Sequence, residues 1–441
     1  MVYFRSVRQA PSGDAARFLP LSELAVDFLL RMPTRIVFAL ALTLPPSTMH
    51  AASYKLIQNF VCGANSECYP SGPLVLDQGG NLYGSAEGGG VNNYGNVFEL
   101  SPNPDGTWYQ TLLHSFDFHA DGDGPRFGVV RDGQGDLFGT TLQAGGPRDL
   151  GTVYELTPDG SNWDLGLLYD GSANAAVILS KAGDVYGPIG EGVYLGGAIA
   201  ELSPSPNGWT YTDLYSFCAQ PPQCPDGQTP FSPLAFDARG SLYGTTLYGG
   251  NKPFCTVDTM GCGTAFQLSP NRDGPWTFHL MHAFAASADD GETPVGSLVV
   301  DRTGSLYGTT SYGGPNHNGT IFKLTPSAVG RNWVETELYT FPDCSGDGCQ
   351  PYTGLVADKA GNLYGAAGGG NHTCLDGSAC GVLFSLSPRR DGSWKYAVLY
   401  KFSGPDGDDP NQITIAPDGT IYGTTLYGGQ NNQGVAFQIT P

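Results

Sequence analysis

Asp301-Arg302-Thr303-Gly304-Ser305-Leu306-Tyr307-Gly308-Thr309-Thr310 reads as a tight turn followed by a strand with glycine at its third position. The Leu-Tyr-Gly core returns at Leu82-Tyr83-Gly84, Leu137-Phe138-Gly139, Val185-Tyr186-Gly187, Leu242-Tyr243-Gly244, Leu363-Tyr364-Gly365 and Ile421-Tyr422-Gly423. That makes seven copies, 48 to 64 residues apart. A period in that range marks a supersecondary unit that buries its core only against its neighbours.

Working outward from the hairpin, each unit yields four short strands. A short apolar run comes first, as in Pro73-Leu74-Val75-Leu76-Asp77 or Ser297-Leu298-Val299-Val300-Asp301. An Asp-x-x-Gly turn follows, because Asp bonds its own backbone and Gly accepts positive φ. The Leu-Tyr-Gly strand is second. A Gly-rich loop leads to the third, as in Gly151-Thr152-Val153-Tyr154-Glu155-Leu156-Thr157-Pro158. The fourth begins at a Trp, as in the run from Trp394 to Phe402. These runs are β-branched or aromatic and bounded by turn residues. No helical period is sustained. Four-stranded units repeated radially describe an all-β, seven-bladed β-propeller spanning residues 53–441.

The chain ends predict how the ring closes. The last unit stops after its third strand, Val435–Thr440, and an unpartnered fourth-type strand, Tyr54–Phe60, stands at the other end. Pairing 54–60 with 435–440 clasps the ring and removes an open edge. All six Trp (108, 163, 209, 276, 333 and 394) occupy one repeat position, and the seventh falls at Ala52. A solenoid would need no such clasp.

Residues 1–52 lie outside the repeat. Arg31 and Arg35 precede the apolar run 36–44, and small residues lead to Ala51-Ala52, the layout of a secretory leader with Met32 as an alternative start. The net charge is −20. It disfavours nucleic acid and anionic membrane as partners. Ten Cys form five local pairs: Cys62/Cys68, Cys218/Cys224, Cys255/Cys262, Cys344/Cys349 and Cys374/Cys380. Behind a leader this pattern reads as disulfides formed outside the cytoplasm. Structural zinc favours closer Cys pairs in combination. A secreted or periplasmic monomer without a membrane span is expected.

The bridged segments all fall in two connections, fourth-to-first and second-to-third, which emerge on one face of an up-and-down blade. Long, variable loops on a rigid scaffold carry function. Asp-Gly-x-x-Pro recurs there at Asp121, Asp226, Asp290, Asp347 and Asp406. Clustered carboxylates would suit Ca²⁺ or a cationic ligand; the simpler reading is a turn in which Asp bonds backbone amides. Tyr248, Tyr312 and Tyr427 open Tyr-Gly-Gly segments that could stack on sugars or pack between blades. His119, His317 and His372 sit in the same loops as candidate bases or ligands. No established catalytic or nucleotide motif is present. The third unit lacks Asp-Gly-x-x-Pro, and Pro188 stands where Thr follows Gly elsewhere, so a lateral cleft could open there.

The combined pattern in 304–326, with Asp-Gly-x-x-Pro upstream, resembles the GloVer (Gloeo/Verruco) tandem repeat of bacterial secreted or surface proteins, over residues 54–441. The resemblance implies export and a propeller-like fold, and no activity. The expectation is a secreted, non-catalytic binding or scaffold module, with glycan or peptide ligands at the looped face and no cofactor unless Ca²⁺. The alternatives are an extracytoplasmic lyase or hydrolase using His and Asp, and a Ca²⁺-stabilised structural protein.

Overall fold

The computed structural model describes residues 52–441, except 64–65, 251–253, 257–259, 273, 328–331, 371, 375–376 and 378. The predicted leader lies outside the described residues, save Ala52. Seven antiparallel sheets form a seven-bladed β-propeller, and no helix occurs among the described residues. Blade 1 runs from Glu67 to Ser115, blade 2 from Val129 to Asp170, blade 3 from Ile178 to Ser216 and blade 4 from Gln228 to Ala283. Blade 5 spans Gly291–Thr340 and blade 6 Val356–Lys401. Blade 7 combines Asp408–Thr440 with Ser53–Asn59, the strand at the other end of the described chain. The register Tyr54↔Ile439, Leu56↔Phe437 and Asn59↔Val435 is the clasp expected from the sequence.

The packing explains the signature. In blade 5 a Cβ on Gly308 would lie 2.5 Å from the Phe322 ring, so only Gly lets that buried Phe of the third strand cross the second. The neighbouring Tyr307 hydroxyl donates to Asp301 of the preceding turn at 3.0 Å. Its ring meets Trp394 of blade 6 edge-on at 5.8 Å. Blades 1, 2, 3, 4 and 7 repeat this aromatic contact with the Trp of the next blade. At the seam between blades 6 and 7, Ala52 packs in the same cluster as Tyr364, where the Trp series is interrupted. The core is therefore a ring of inter-blade clusters.

In blades 1 and 5 the first strand is longer than the sequence implied, Glu67–Leu76 and Gly291–Val300, with a shift of register midway. Bulges let those strands continue into the leading loop.

Candidate functional site

The two connections expected on one face are hydrogen-bonded to each other there. Gly90 N donates to Ser66 O, Gly250 N to Cys224 O, Gly314 N to Asp290 O and Gly370 N to Ser345 O.

All five Cys pairs are bonded. The sequence reading put both members of each pair in loops at the looped face; Cys68 departs from it by lying in a strand, while Cys224, Cys262, Cys349 and Cys380 stand outside the strands as expected. The second member of every pair, Cys68, Cys224, Cys262, Cys349 or Cys380, is buried. Cys68 lies inside the first strand of blade 1, opposite Gly88 of the second strand. A Cβ on Gly88 would come within 2.8 Å of the Cys68 sulfur. Cys349 bridges to the second strand of blade 6, its N–H donating to Gly368 O at 2.9 Å. It belongs to the core cluster of Phe341 and Phe384. The physical reason is that a disulfide sulfur is a small apolar group. Where the loop rejoins the sheet, it serves as a core side chain. Cys68 and Cys349 are therefore closed to a ligand, and their bridges tie loops to the blade interior.

The Asp-Gly-x-x-Pro segment seals seams between blades. Asp121 accepts from Asp117 N at 2.6 Å, Asp290 from Ala286 N at 2.8 Å and Asp406 from Ser403 N at 2.7 Å. Asp226 accepts from Cys218 N at 3.1 Å. Three residues after the Asp, a left-handed residue donates its N–H to the preceding blade: Thr229 to Gly196 O, Thr293 to Cys262 O and Gln350 to Asn318 O. The following Pro covers a glycine of that blade; a Cβ on Gly319 would lie 2.8 Å from Pro351. Tyr69-Pro70 does the same for blades 7 and 1.

The seam partners also include two His–carboxylate pairs that the sequence reading missed. His114 Nε2 lies 2.7 Å from Asp121 and His282 Nε2 3.1 Å from Asp290. Blades 3 and 6 place Tyr215 and Tyr400 there, donating to Asp226 and Asp406. The His residues thus occupy a structural position of the repeat.

The other predicted residues do not converge. His119, His317 and His372 are exposed, in separate loops. Asp347 lies beneath Tyr396, whose hydroxyl donates to its carbonyl. Tyr248, Tyr312 and Tyr427 accept Thr hydroxyls on their carbonyls. Tyr312 and Tyr427 are more than one-third exposed, and Tyr427 meets Tyr69 edge-on at 5.7 Å. Among the described residues, groups of three acids, His or Cys within 4.8 Å occur only around disulfides, Cys255/Cys262 with Glu292 and Cys374/Cys380 with Asp408. Sulfurs bonded to each other are not thiolate ligands.

What does converge is the channel mouth. A cavity of about 400 Å³ opens where blades 1, 2, 4, 5, 6 and 7 meet. Glu87, Arg126, Tyr352 and Asp409 line its walls. Glu87 Oε1 lies 3.1 Å from Arg126 Nε but off its N–H axis. Burial lifts the Glu87 carboxyl above its ordinary range, Arg126 lowers it and Asp123 raises it. Tyr352 keeps 38% of its surface exposed. On the same walls Phe127 of blade 2 meets Phe231 of blade 4 at 5.7 Å, and Gln412 of blade 7 donates to Ser297 of blade 5 at 2.8 Å. Each contact skips a blade, so both lie inside the bore. The result is a cup with aromatic and polar walls.

Matches to the family model of the Gloeobacter/Verrucomicrobia repeat cover residues 69–260, 167–375 and 254–441. The chain belongs to that repeat family. No curated protein matches it. Among solved structures it is similar to PorZ, a surface component of the type-IX secretion system of Porphyromonas gingivalis, at 15% identity and a TM-score of 0.48, covering 83% of this chain and 46% of PorZ. It is also similar to a Bacteroides uniformis protein provisionally designated a 6-phosphogluconolactonase, at 14% identity and a TM-score of 0.45, covering 74% of this chain and 83% of that one. A Thermus protein provisionally designated an oxidoreductase (glucose dehydrogenase) matches at 15% identity and a TM-score of 0.40, over 88% of this chain and all of the other.

For this Gloeobacter/Verrucomicrobia repeat protein, the cup residues carried one sequence signal. The residue after the repeated Pro is Arg126, Phe231, Val295, Tyr352 or Asn411, different in every copy, and the two residues before that Pro vary as well. Variation at a fixed inward position is what a binding surface on a constant scaffold requires.

Proposed function

We propose that the protein is an extracytoplasmic, non-catalytic binding module that takes a glycan in the cup at the looped mouth of the channel. The observation that carries this reading is the cup itself: an exposed Tyr352 face beside Glu87, Arg126 and Asp409. Sugars are held by an aromatic face with a few placed carboxylate and guanidinium groups. Five disulfides support a location outside the cytoplasm. Among the described residues no helix is long and apolar enough to cross a membrane. A glycan array followed by calorimetry with Tyr352→Ala and Arg126→Ala tests the reading. Each substitution is expected to weaken binding at least tenfold while the variant keeps the parent's far-ultraviolet circular dichroism. Binding unchanged in both variants would move the site elsewhere, and peptide rather than sugar hits would change the ligand class.

One observation favours a second reading, a lyase or hydrolase: Glu87, lifted by burial, faces the same cup as Asp409. Release of new reducing ends from a bound glycan, abolished by Glu87→Gln, would establish it. Calcium stabilisation is tested separately by the melting temperature with and without chelator.

A further inference from the structure

The second-to-third loops of blades 1, 3, 5 and 7 share one backbone. Gly90, Gly192, Gly314 and Gly429 begin the turn, and Asn93, Leu195, His317 and Asn432 occupy its left-handed position, with φ of 62°, 59°, 56° and 55°. Asn and His tolerate that conformation better than other side chains, whereas Leu is disfavoured there. The Asn residues also do structural work: Asn93 and Asn432 accept from Gly89 N and Gly428 N. Leu195 cannot. It is 75% exposed, and its neighbours Val193 and Tyr194 are 74% and 49% exposed. Three adjacent apolar side chains are thus presented to solvent from one tip, one of them in a strained conformation. Local rules broken without a compensating contact mark a functional surface.

Two hydrogen bonds anchor the backbone of the tip. Val193 N donates to Ser216 Oγ at 3.1 Å, and Leu195 N to Gly192 O at 3.3 Å. Beside it lies a cleft of about 460 Å³ at the seam of blades 2 and 3, where the Asp-Gly-x-x-Pro seal is absent. Tyr169 and Tyr211, stacked at 4.7 Å, wall the cleft, and Leu150 adds a further exposed apolar rim. Charge around the patch is mostly negative: Asp149, Asp170, Glu191 and Asp213 against Arg148. That balance repels a second copy of this chain, which carries −20, and an anionic bilayer.

We infer that the Val193-Tyr194-Leu195 tip and the adjoining cleft dock a protein partner that presents apolar anchors within a basic surround. The site is separate from the cup, so the two stand or fall independently.

The test uses the full chain and a synthetic amphipathic Lys/Leu peptide, with a Lys/Ser peptide of equal charge as control. The Lys/Leu peptide is expected to bind, and Leu195→Asn and Val193→Ser are each expected to weaken it at least tenfold. The melting temperature of Leu195→Asn should hold or rise, because Asn suits the left-handed position. Equal binding of the two peptides, or an unchanged affinity in the variants, overturns the inference. So does the absence of any binding, or a melting temperature several degrees lower in Leu195→Asn, which would make Leu195 structural. Phosphatidylcholine vesicles that bind through Leu195 would replace the protein partner with lipid. Self-association in sedimentation equilibrium, lost in Leu195→Asn, would replace it with a second copy.

Discussion

Blades 5 and 3 follow one four-stranded plan but meet their neighbours differently. Blade 5 brings Asp290 to Pro294 against blade 4: Thr293 N bonds Cys262 O, and Pro294 covers Gly263. Blade 3 lacks that segment, and its first strand shrinks to Ile178–Leu179. Yet the opposite end of its seam is intact, with Phe138 against Trp209 at 6.3 Å. The Trp contact and the leading loop are thus two separate fastenings. Removing the loop opens a cleft and leaves the sheet standing.

The comparison can be broken first at its glycines. Gly319 has φ +91°, and a Cβ there would meet Thr310 O at 2.4 Å and Pro351 at 2.8 Å. Gly151, its counterpart in blade 2, has φ +97° and would meet Thr141 O at 2.5 Å, with no Pro across the seam. Gly319→Ala is expected to cost about 3 kcal/mol or more in chemical denaturation, and Gly151→Ala about 1 kcal/mol less. Equal losses would mean the Pro seal adds nothing.

A second test uses pH. Gly291 of blade 5 leaves room for the hydroxyl pair Thr310–Thr320, 2.9 Å apart. In blade 1 the same positions hold Glu67, Ala86 and Asn96. Glu67 is 1% exposed, and burial raises its pKa to about 7. Its Oε2 and Asn96 Oδ1 have no hydrogen-bond partner among the described residues. The folded state therefore holds this proton more tightly than the unfolded chain. Its contribution is full below the unfolded value near 4.5 and declines as pH rises to about 7. Glu335 and Glu337 are raised to about 7 as well, mainly by burial, and act in the same sense. Asp77, Asp301 and Asp358, held below their usual range where their turn hydrogen bonds outweigh burial, oppose this only in stronger acid. Melting temperature should peak near pH 4–5 and fall towards 7, and Glu67→Gln should flatten about 2 kcal/mol of that fall. A flat profile in the parent protein would refute the buried-acid account.

Disulfide removal should act on a comparable scale. Cys218→Ser with Cys224→Ser frees the leading loop of blade 4, which abuts the tip of blade 3. The expected loss is roughly 2 kcal/mol, given a sequence separation of 6 residues. A loss near zero would show that the loop is held by hydrogen bonds alone.

The smallest effect concerns the outer strands. Tyr169–Tyr211, Tyr215–Phe278, Tyr339–Tyr396 and Tyr54–Tyr400 stack across four seams. Between blades 4 and 5 the repeat places His282 opposite Glu335, and between blades 7 and 1 Gln58 donates to Gln110. Glu335→Tyr should stabilise the protein by about 1 kcal/mol at pH 8, by removing a half-buried carboxylate and adding an aromatic contact. Destabilisation there would show that the His–Glu seam is needed as it stands.

The ring and its clasp were legible because each rests on a local, repeated pattern. Leu-Tyr-Gly, the Trp positions and the orphan strand 54–60 all survive without knowledge of distant contacts. The looped face followed from connection order alone. The burial of Cys68 and Cys349 did not, because spacing pairs cysteines without saying which sulfur faces the sheet. The cup was hidden too, because Glu87, Arg126, Tyr352 and Asp409 come from four blades and meet only after closure. The His114 and His282 pairs were obscured because their repeat position holds Tyr elsewhere, and no spacing distinguishes a seam His from a catalytic one. The cleft at blade 3 was foreseeable from a missing motif; the apolar tip beside it needed exposure and φ.

The two blade-skipping contacts, Phe127–Phe231 and Gln412–Ser297, reach across the bore at the cup. These cross-ties narrow the bore, so a glycan of the kind proposed above would be expected to offer a terminus or a protruding branch rather than thread through. Recognition there would count chain ends rather than chain length. Fragmenting a polysaccharide should then raise the number of sites the protein can occupy per gram of sugar.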